Sequence, residues 1–143
     1  MIYIEKINDI YRDKTLSFLK SVPSIENVDG SIVDNAVIAV EDDKIVGCIS
    51  FEEFDKKALV RYFVFKKMLA NSYLELLLSK LEEKVVSKKI NMLVCIAENS
   101  QIEDLFNSLG FIEVNNKKIF INEEDIKYTN FKNSIFLNKL LTD

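Results

Sequence analysis

The middle of the chain is two apolar strand patterns joined by a helix pattern, and that most limits what it can fold into. "ALVRYFVF", from Ala58 to Phe65, is almost wholly apolar or aromatic and predicts a central strand. "NMLVCIA", from Asn91 to Ala97, predicts a second buried strand. Between them, Leu74, Leu77, Leu78, Leu81 and Val85 fall at helical spacing and mark the inner face of a long helix. Glu75, Lys80, Glu82, Glu83 and Lys84 read as its solvated face. A strand–helix–strand crossover needs a sheet on which the helix can bury its leucines. The fold class is therefore a mixed α/β sheet in two or three layers.

The flanking sequence is consistent with that sheet. "MIYIEKI" alternates and predicts a first strand, followed by a helix capped by Asp9, with Tyr11, Thr15, Phe18, Leu19 and Val22 on one face and Pro23 as its stop. "SIENVDGSIVDN" reads either as one or two helical turns or as a loop over a cleft. Ala36–Val40 and Lys44–Phe51 flank the turn "EDDK" and predict a hairpin. "ENSQIEDLFNSLGF" predicts a helix with Asn99 or Ser100 at its start and Gly110 just past its end. "FIEV" and "KKIFI" are strand-like, "NEEDIKYTNFKN" reads as a long loop, and "SIFLNKLL" predicts a last strand. With no repeat and no Pro/Gly/Ser-rich linker, residues 1–143 are expected to form a single domain.

Composition narrows the chemistry. A net charge of −4 lacks the basic excess of a nucleic-acid binder. The absence of histidine removes the commonest metal ligand, the commonest general base and any Ser-His or Cys-His pair. Cys48 and Cys95 lie in separate apolar runs, too far apart for a CxxC motif, and read as buried thiols of a cytoplasmic protein. The early charges of "MIYIEKINDI" do not suit a signal peptide, and no run approaches the roughly 18 apolar residues of a membrane span. No metal, nucleic acid or membrane is expected as a partner.

The passage "VFKKMLANSYLELLLSKL", Val64 to Leu81, goes from strand to helix across a short turn without glycine. Free N–H groups at such a helix start point at an anion, and the helix dipole adds roughly 0.3–1 kcal/mol. Glycine is needed there only where φ must be positive or where a phosphate approaches very closely.

Taken in order, these segments resemble the GNAT superfamily of acyltransferases. In "ENSQIEDLFNSLGF", residues Asn99, Ile102, Leu105, Phe106, Gly110 and Phe111 fall in the register of the family's N-x-x-A-x-x-L-Y-x-K-x-G-F pattern without a gap. "FLNKLL" is similar to its closing strand, and "DDKIVGCISF" to its hairpin, with Gly47 in place. The resemblance implies a mostly antiparallel, twisted sheet of about six or seven strands with helices on both faces. It also implies acetyl-CoA as co-substrate. The pantetheine arm would lie between splayed fourth and fifth strands, against the backbone of Phe63, Val64 and Phe65, with Asn99 and Phe106 also at the cofactor. The pyrophosphate would sit on the turn before the third helix, at Lys67, Leu69, Ala70, Asn71 and Ser72.

The chain departs from the family in that turn, whose pattern is Q/R-x-x-G-x-G/A. Without a gap, Leu69, Ser72 and Leu74 take the key positions; with a loop two residues shorter, Lys67, Ala70 and Ser72 take them, and that alignment keeps one cation and two small residues. Phe106 replaces a tyrosine that often protonates the departing thiolate. For proton transfer the candidates are Glu52 and Glu53 at the end of the third strand, Tyr62 on the central strand and Tyr73 at the helix start, each with a structural role as the alternative. The expected reaction is acetyl transfer to a primary amine of a small molecule or peptide, a cationic one suiting the acidic loops. The alternatives are a non-catalytic module that binds acyl-CoA or a partner protein, and a homodimer that pairs through "SIFLNKLL".

Overall fold

The computed structural model of the chain describes residues 1–23, 25, 27–54, 56–97, 100–113, 120–121, 124–125 and 135–141. The elements run β1 (Ile2–Lys6), α1 (Arg12–Lys20), α2 (Gly30–Val33), β2 (Val37–Glu41), β3 (Lys44–Phe54), β4 (Lys57–Phe65) and α3 (Asn71–Ser87). β5 (Met92–Ala97), α4 (Ser100–Ser108), β6 (Ile112–Glu113), β7 (Phe120–Ile121), β8 (Glu124–Asp125) and β9 (Ile135–Leu140) follow. The main sheet has seven strands in the order β1-β2-β3-β4-β5-β9-β6, and β7 and β8 pair separately. Every neighbouring pair in the main sheet is antiparallel except β4 and β5, which the α3 crossover makes parallel.

Helices cover both faces. On one face the five inner residues of α3 (Leu74, Leu77, Leu78, Leu81 and Val85) are all buried against Val37, Ile49, Phe51 and Leu93, with Phe106 of α4 beside them. On the other, Leu19 of α1 and Ile32 and Val33 of α2 bury Ile38, Cys48 and Tyr62. The alternation of β2 and β3 thus sorts their apolar side chains onto two faces, both dry.

The hairpin turns at Asp42 and Asp43, both with positive φ (51° and 64°), the geometry of a two-residue turn that suits strand twist. Gly110, at φ 98°, closes α4 as its position predicts. "SIENVDGSIVDN" contributes a single helical turn, α2, whose N-cap is Asp29.

Several details differ from expectation. The carboxylate of Asp9 does not cap α1: the Asn8 side chain accepts the Tyr11 N–H instead, at 3.1 Å. Three residues of the supposedly solvated face of α3 are engaged, Glu83 with Lys6 at 3.4 Å. Glu82 pairs with Lys139 at 2.7 Å, and Lys84 donates to the carbonyls of Asp34 and Ala36. β9 lies between β5 and β6, pairing with β5 from Ile135 to Leu140 and with β6 at Leu137 and Asn138. Most of "NEEDIKYTNFKN" lies outside the described residues. Among the described residues no helix is long and apolar enough to cross a membrane.

Candidate functional site

The site begins where β4 and β5 part. They pair only at Ala58↔Leu93 and Leu59↔Val94, although β4 continues to Phe65 and β5 to Ala97. Beyond Leu59, β4 has no ladder partner on that side among the described residues. A local irregularity bends β4 there. Cys48 faces Val64 and Ser50 faces Arg61, so Ile49 stands opposite two residues, Tyr62 and Phe63. Tyr62 carries a φ of 53°, rare for a non-glycine residue.

Tyr62 is held in that conformation from outside the strand. Its ring is buried, and its hydroxyl accepts the Asp29 N–H at 2.8 Å and approaches the Asn27 carbonyl at 3.4 Å. The expected proton donor is therefore committed to the backbone that leads into α2. The hydroxyl of Ser50 donates to the Ile32 carbonyl, and Asn35 donates to the Phe51 carbonyl at 2.9 Å. Together these bonds fix the α2 segment over one end of β3 and β4.

The gap between the strands is a cavity of about 310 Å³, lined by β4 from Val60 to Phe63, by Cys95 and Ile96, and by Ile102 and Phe106 of α4. Larger hollows lie between α1 and the β2–β3 hairpin and between α3 and β9, at about 600 and 580 Å³. Neither adjoins the open side of β4, so the smaller cavity is the candidate site. Its floor is aromatic: Phe63 meets Phe65 and Phe106 edge-on at 4.8 and 5.1 Å, and Phe106 meets Phe111 at 5.1 Å. Phe106 is 1% exposed, a core ring that also borders the cavity. Burial pushes the Cys95 thiol up to about 12, so it is no nucleophile near neutral pH.

β4 runs on past the cavity to Phe65 and then into the turn before α3. Ala70, the N-cap, has φ −63° and ψ 150°, and no side chain caps the helix. The amides of Tyr73 and Leu74 return to the Ala70 carbonyl, which leaves those of Asn71 and Ser72 without a protein acceptor among the described residues. No residue from Lys66 to Ser72 has positive φ, so the turn needs no glycine for its backbone. The side chains divide clearly. Lys67, Ala70, Asn71 and Ser72 are exposed, whereas Leu69 and Leu74 are core residues. Lys67 forms an ion pair with Glu41 at 2.6 Å, and the bond from Lys67 holds the Glu41 carboxyl below its usual range.

Of the candidate carboxylates, Glu52 is ion-paired with Arg61, which lines the cavity and lies 5.4 Å from the Tyr62 ring. Glu53 alternates to the opposite face and is exposed. Tyr73 packs half-buried against the core at the first turn of α3, and its hydroxyl has no partner among the described residues. Val64 turns towards the α1 and α2 face while Phe63 and Phe65 turn towards α3, so only their backbone is common to the open edge. Asn99 lies outside the described residues. Sequence reasoning missed Arg61 as a cavity residue and Asp29 as the residue anchored by Tyr62. Among the described residues no cluster of three or more potential metal ligands occurs.

No family model matches the chain, and no curated protein matches it by sequence. Solved structures do. The N-acetylglutamate synthase of Neisseria gonorrhoeae, solved with coenzyme A and N-acetyl-glutamate, superposes with a TM-score of 0.76 at 15% identity; all of this chain is covered, but only 36% of that one. A GNAT-family acetyltransferase of Staphylococcus aureus Mu50 matches at TM-score 0.65 and 16% identity, over 99% of this chain and 100% of its own. The ribosomal-protein-S18-alanine N-acetyltransferase of Escherichia coli matches at 0.65 and 13%, over 100% and 96%. The chain has the GNAT acyltransferase fold.

Proposed function

We propose that the chain is an acetyl-CoA-dependent N-acetyltransferase acting on a primary amine. The observation that carries this reading is the pair of amides, Asn71 and Ser72, left uncapped among the described residues at the start of α3, the helix that follows the strand whose open side borders the cavity. The diphosphate rests on those amides in the Lys67, Ala70, Ser72 alignment, because the other alignment would use the core side chains of Leu69 and Leu74. The pantetheine arm bonds to the backbone from Phe63 to Phe65 on its β5 side, which has no ladder partner among the described residues, as an added strand would.

The substrate supplies the nucleophile. Its neutral nitrogen attacks the thioester carbonyl, the tetrahedral intermediate collapses, the C–S bond breaks, and CoA leaves as a thiolate. A carboxylate or a relay water takes the proton that makes the amine nucleophilic. We assign this role to Glu52, directly or through water, because its ion-pair partner Arg61 lines the cavity, whereas Glu53 points to the other face. Tyr73 offers the hydroxyl left free to protonate the thiolate, in place of the absent family tyrosine. The acidic balance of "SIENVDGSIVDN" and "NEEDIKYTNFKN" favours a cationic acceptor. Isothermal titration with acetyl-CoA, followed by thiol-release assays over a panel of amines, tests the reading. No heat and no thermal shift at millimolar cofactor would refute it.

One observation favours a second reading, an acyl-CoA binder without catalysis. Phe106 has no proton to give, and the Tyr62 hydroxyl is already bonded to the backbone. Cofactor binding without thiol release over the whole panel would select it.

A further inference from the structure

The turn before α3 carries two adjacent lysines, and the structure separates them. The Lys66 amide donates to the Val46 carbonyl at 2.8 Å, and its side chain lines the hollow on the α1 side of the sheet. Lys67 goes the other way. Its ammonium crosses to Glu41, the last residue of β2. Glu41 stands opposite Ile2 in the β1–β2 ladder, so the two side chains share a face of the sheet. Ile2 packs against the cluster that α3 covers. The Glu41–Lys67 pair therefore lies on the face where α3 begins and where its first amides are uncapped.

A single carboxylate holds this cation, with both side chains partly in water: Lys67 is 49% exposed and Glu41 27%. Such a pair is weakly held. A diphosphate carries more charge and more acceptor oxygens than one carboxylate, and binds a lysine as a point charge. On the reading given under Proposed function, we infer that Glu41 is an internal competitor for Lys67. It holds the cation against the sheet in the free protein and yields it to the diphosphate of an acyl-CoA. Glu41 thereby lowers cofactor affinity and sets how strongly that affinity depends on salt.

The test is a double-mutant cycle on the full chain, using Glu41→Gln, Lys67→Met and the double variant. Each is titrated calorimetrically with acetyl-CoA and with acetyl-pantetheine, which lacks the diphosphate, and circular-dichroism melts confirm that each is folded. Glu41→Gln should tighten acetyl-CoA roughly two- to fivefold, and Lys67→Met should weaken it by a similar factor. In the Lys67→Met background the Glu41→Gln gain should vanish, and acetyl-pantetheine should not distinguish the four proteins. An unchanged affinity in Glu41→Gln overturns the inference. So does a gain that persists without Lys67, or an equal gain for acetyl-pantetheine. Those results would leave the acetyltransferase reading standing. If the unsubstituted chain takes up neither ligand, that reading falls first and this inference falls with it.

Discussion

Gly47 and Phe65 face each other across β3 and β4, and the ring lies where a side chain on Gly47 would have to be. A Cβ on Gly47 would stand 2.6 Å from Phe65 Cδ1 and 3.0 Å from Cε1. Phe65 ends the strand that leads to the α3 turn, and it meets Phe63 edge-on at 4.8 Å. Gly47→Ala should displace that ring and cost about 1–3 kcal/mol, the range for overpacking. Phe65→Ala in the same chain should recover part of the loss, because the clash is with the ring alone. Urea denaturation of the two single variants and the double variant measures both effects; strictly additive losses would show that the ring is not the obstacle.

The bond from the Asp29 N–H to the Tyr62 hydroxyl makes a different prediction. If Tyr62 supports the acceptor side rather than donating protons, Tyr62→Phe should cost about 1 kcal/mol of stability. It should raise the KM for the amine and leave acetyl-CoA affinity unchanged. The pH–rate profile should keep its shape, since no titrating catalytic group is lost. A lost alkaline limb would assign Tyr62 to proton transfer after all.

What the sequence made legible is what local pattern controls. The α3 leucines lie at helical spacing and are buried; the "EDDK" turn and Gly110 carry their own backbone preferences. The site was less legible because its geometry comes from contacts between distant segments. No local pattern gives Tyr62 a positive φ; the hydrogen bond to residue 29 supports it from 33 positions away. The turn's alignment was open because only tertiary burial shows that Leu69 belongs to the core while Lys67 does not. Lys84 read as solvated until the carbonyls of Asp34 and Ala36 came to it from another element.

Phe106 is enclosed by Phe63 and Phe111 and borders the cavity, so it tests packing and site together. Phe106→Ala removes a nearly wholly buried ring and should cost about 3–5 kcal/mol. Phe106→Leu should cost clearly less, since more of the volume is kept. If the ring is cavity floor and not a cofactor contact, Phe106→Leu should retain acetyl-CoA binding within a few-fold. A complete loss of binding in a folded Phe106→Leu protein would make the ring itself a cofactor contact.

Three surface carboxylates make the fold sensitive to acid. A hydrogen bond from Lys67 lowers Glu41; Lys14 first and Tyr11 second lower Asp43; the Ser31 hydroxyl and amide lower Asp29. Each therefore titrates lower in the folded chain than in the unfolded one, so over that window the unfolded state binds more protons. Stability should be fully present above about pH 5 and fall as pH drops through the folded-state values. Asp43→Asn and Glu41→Gln should each flatten the acid limb of a plot of urea midpoint against pH. An acid limb unchanged in both variants would assign the loss to other groups.

The alkaline side has the opposite sign and a different cause. Burial pushes the Cys48 and Cys95 thiols up to about 12, whereas in the unfolded chain they ionise near about 8.5. Between those values the folded state binds more protons, so stability should fall as pH rises, at up to about 1.4 kcal/mol per pH unit for each thiol. Lys84 works against this: burial, and then Lys88 and Lys6, lower its ammonium, so its contribution improves as pH rises towards its unfolded value. With two thiols against one amine, the urea midpoint should decline above about pH 9. Cys48→Ala, at the fully buried site, should remove at least half of that slope at some cost in packing. The same thiols should be inert to a disulfide reagent in the folded protein and react fully in denaturant. Rapid reaction of Cys95 alone in the folded chain would show that the cavity admits the reagent and that the thiol is less enclosed than its place between β4 and α4 implies.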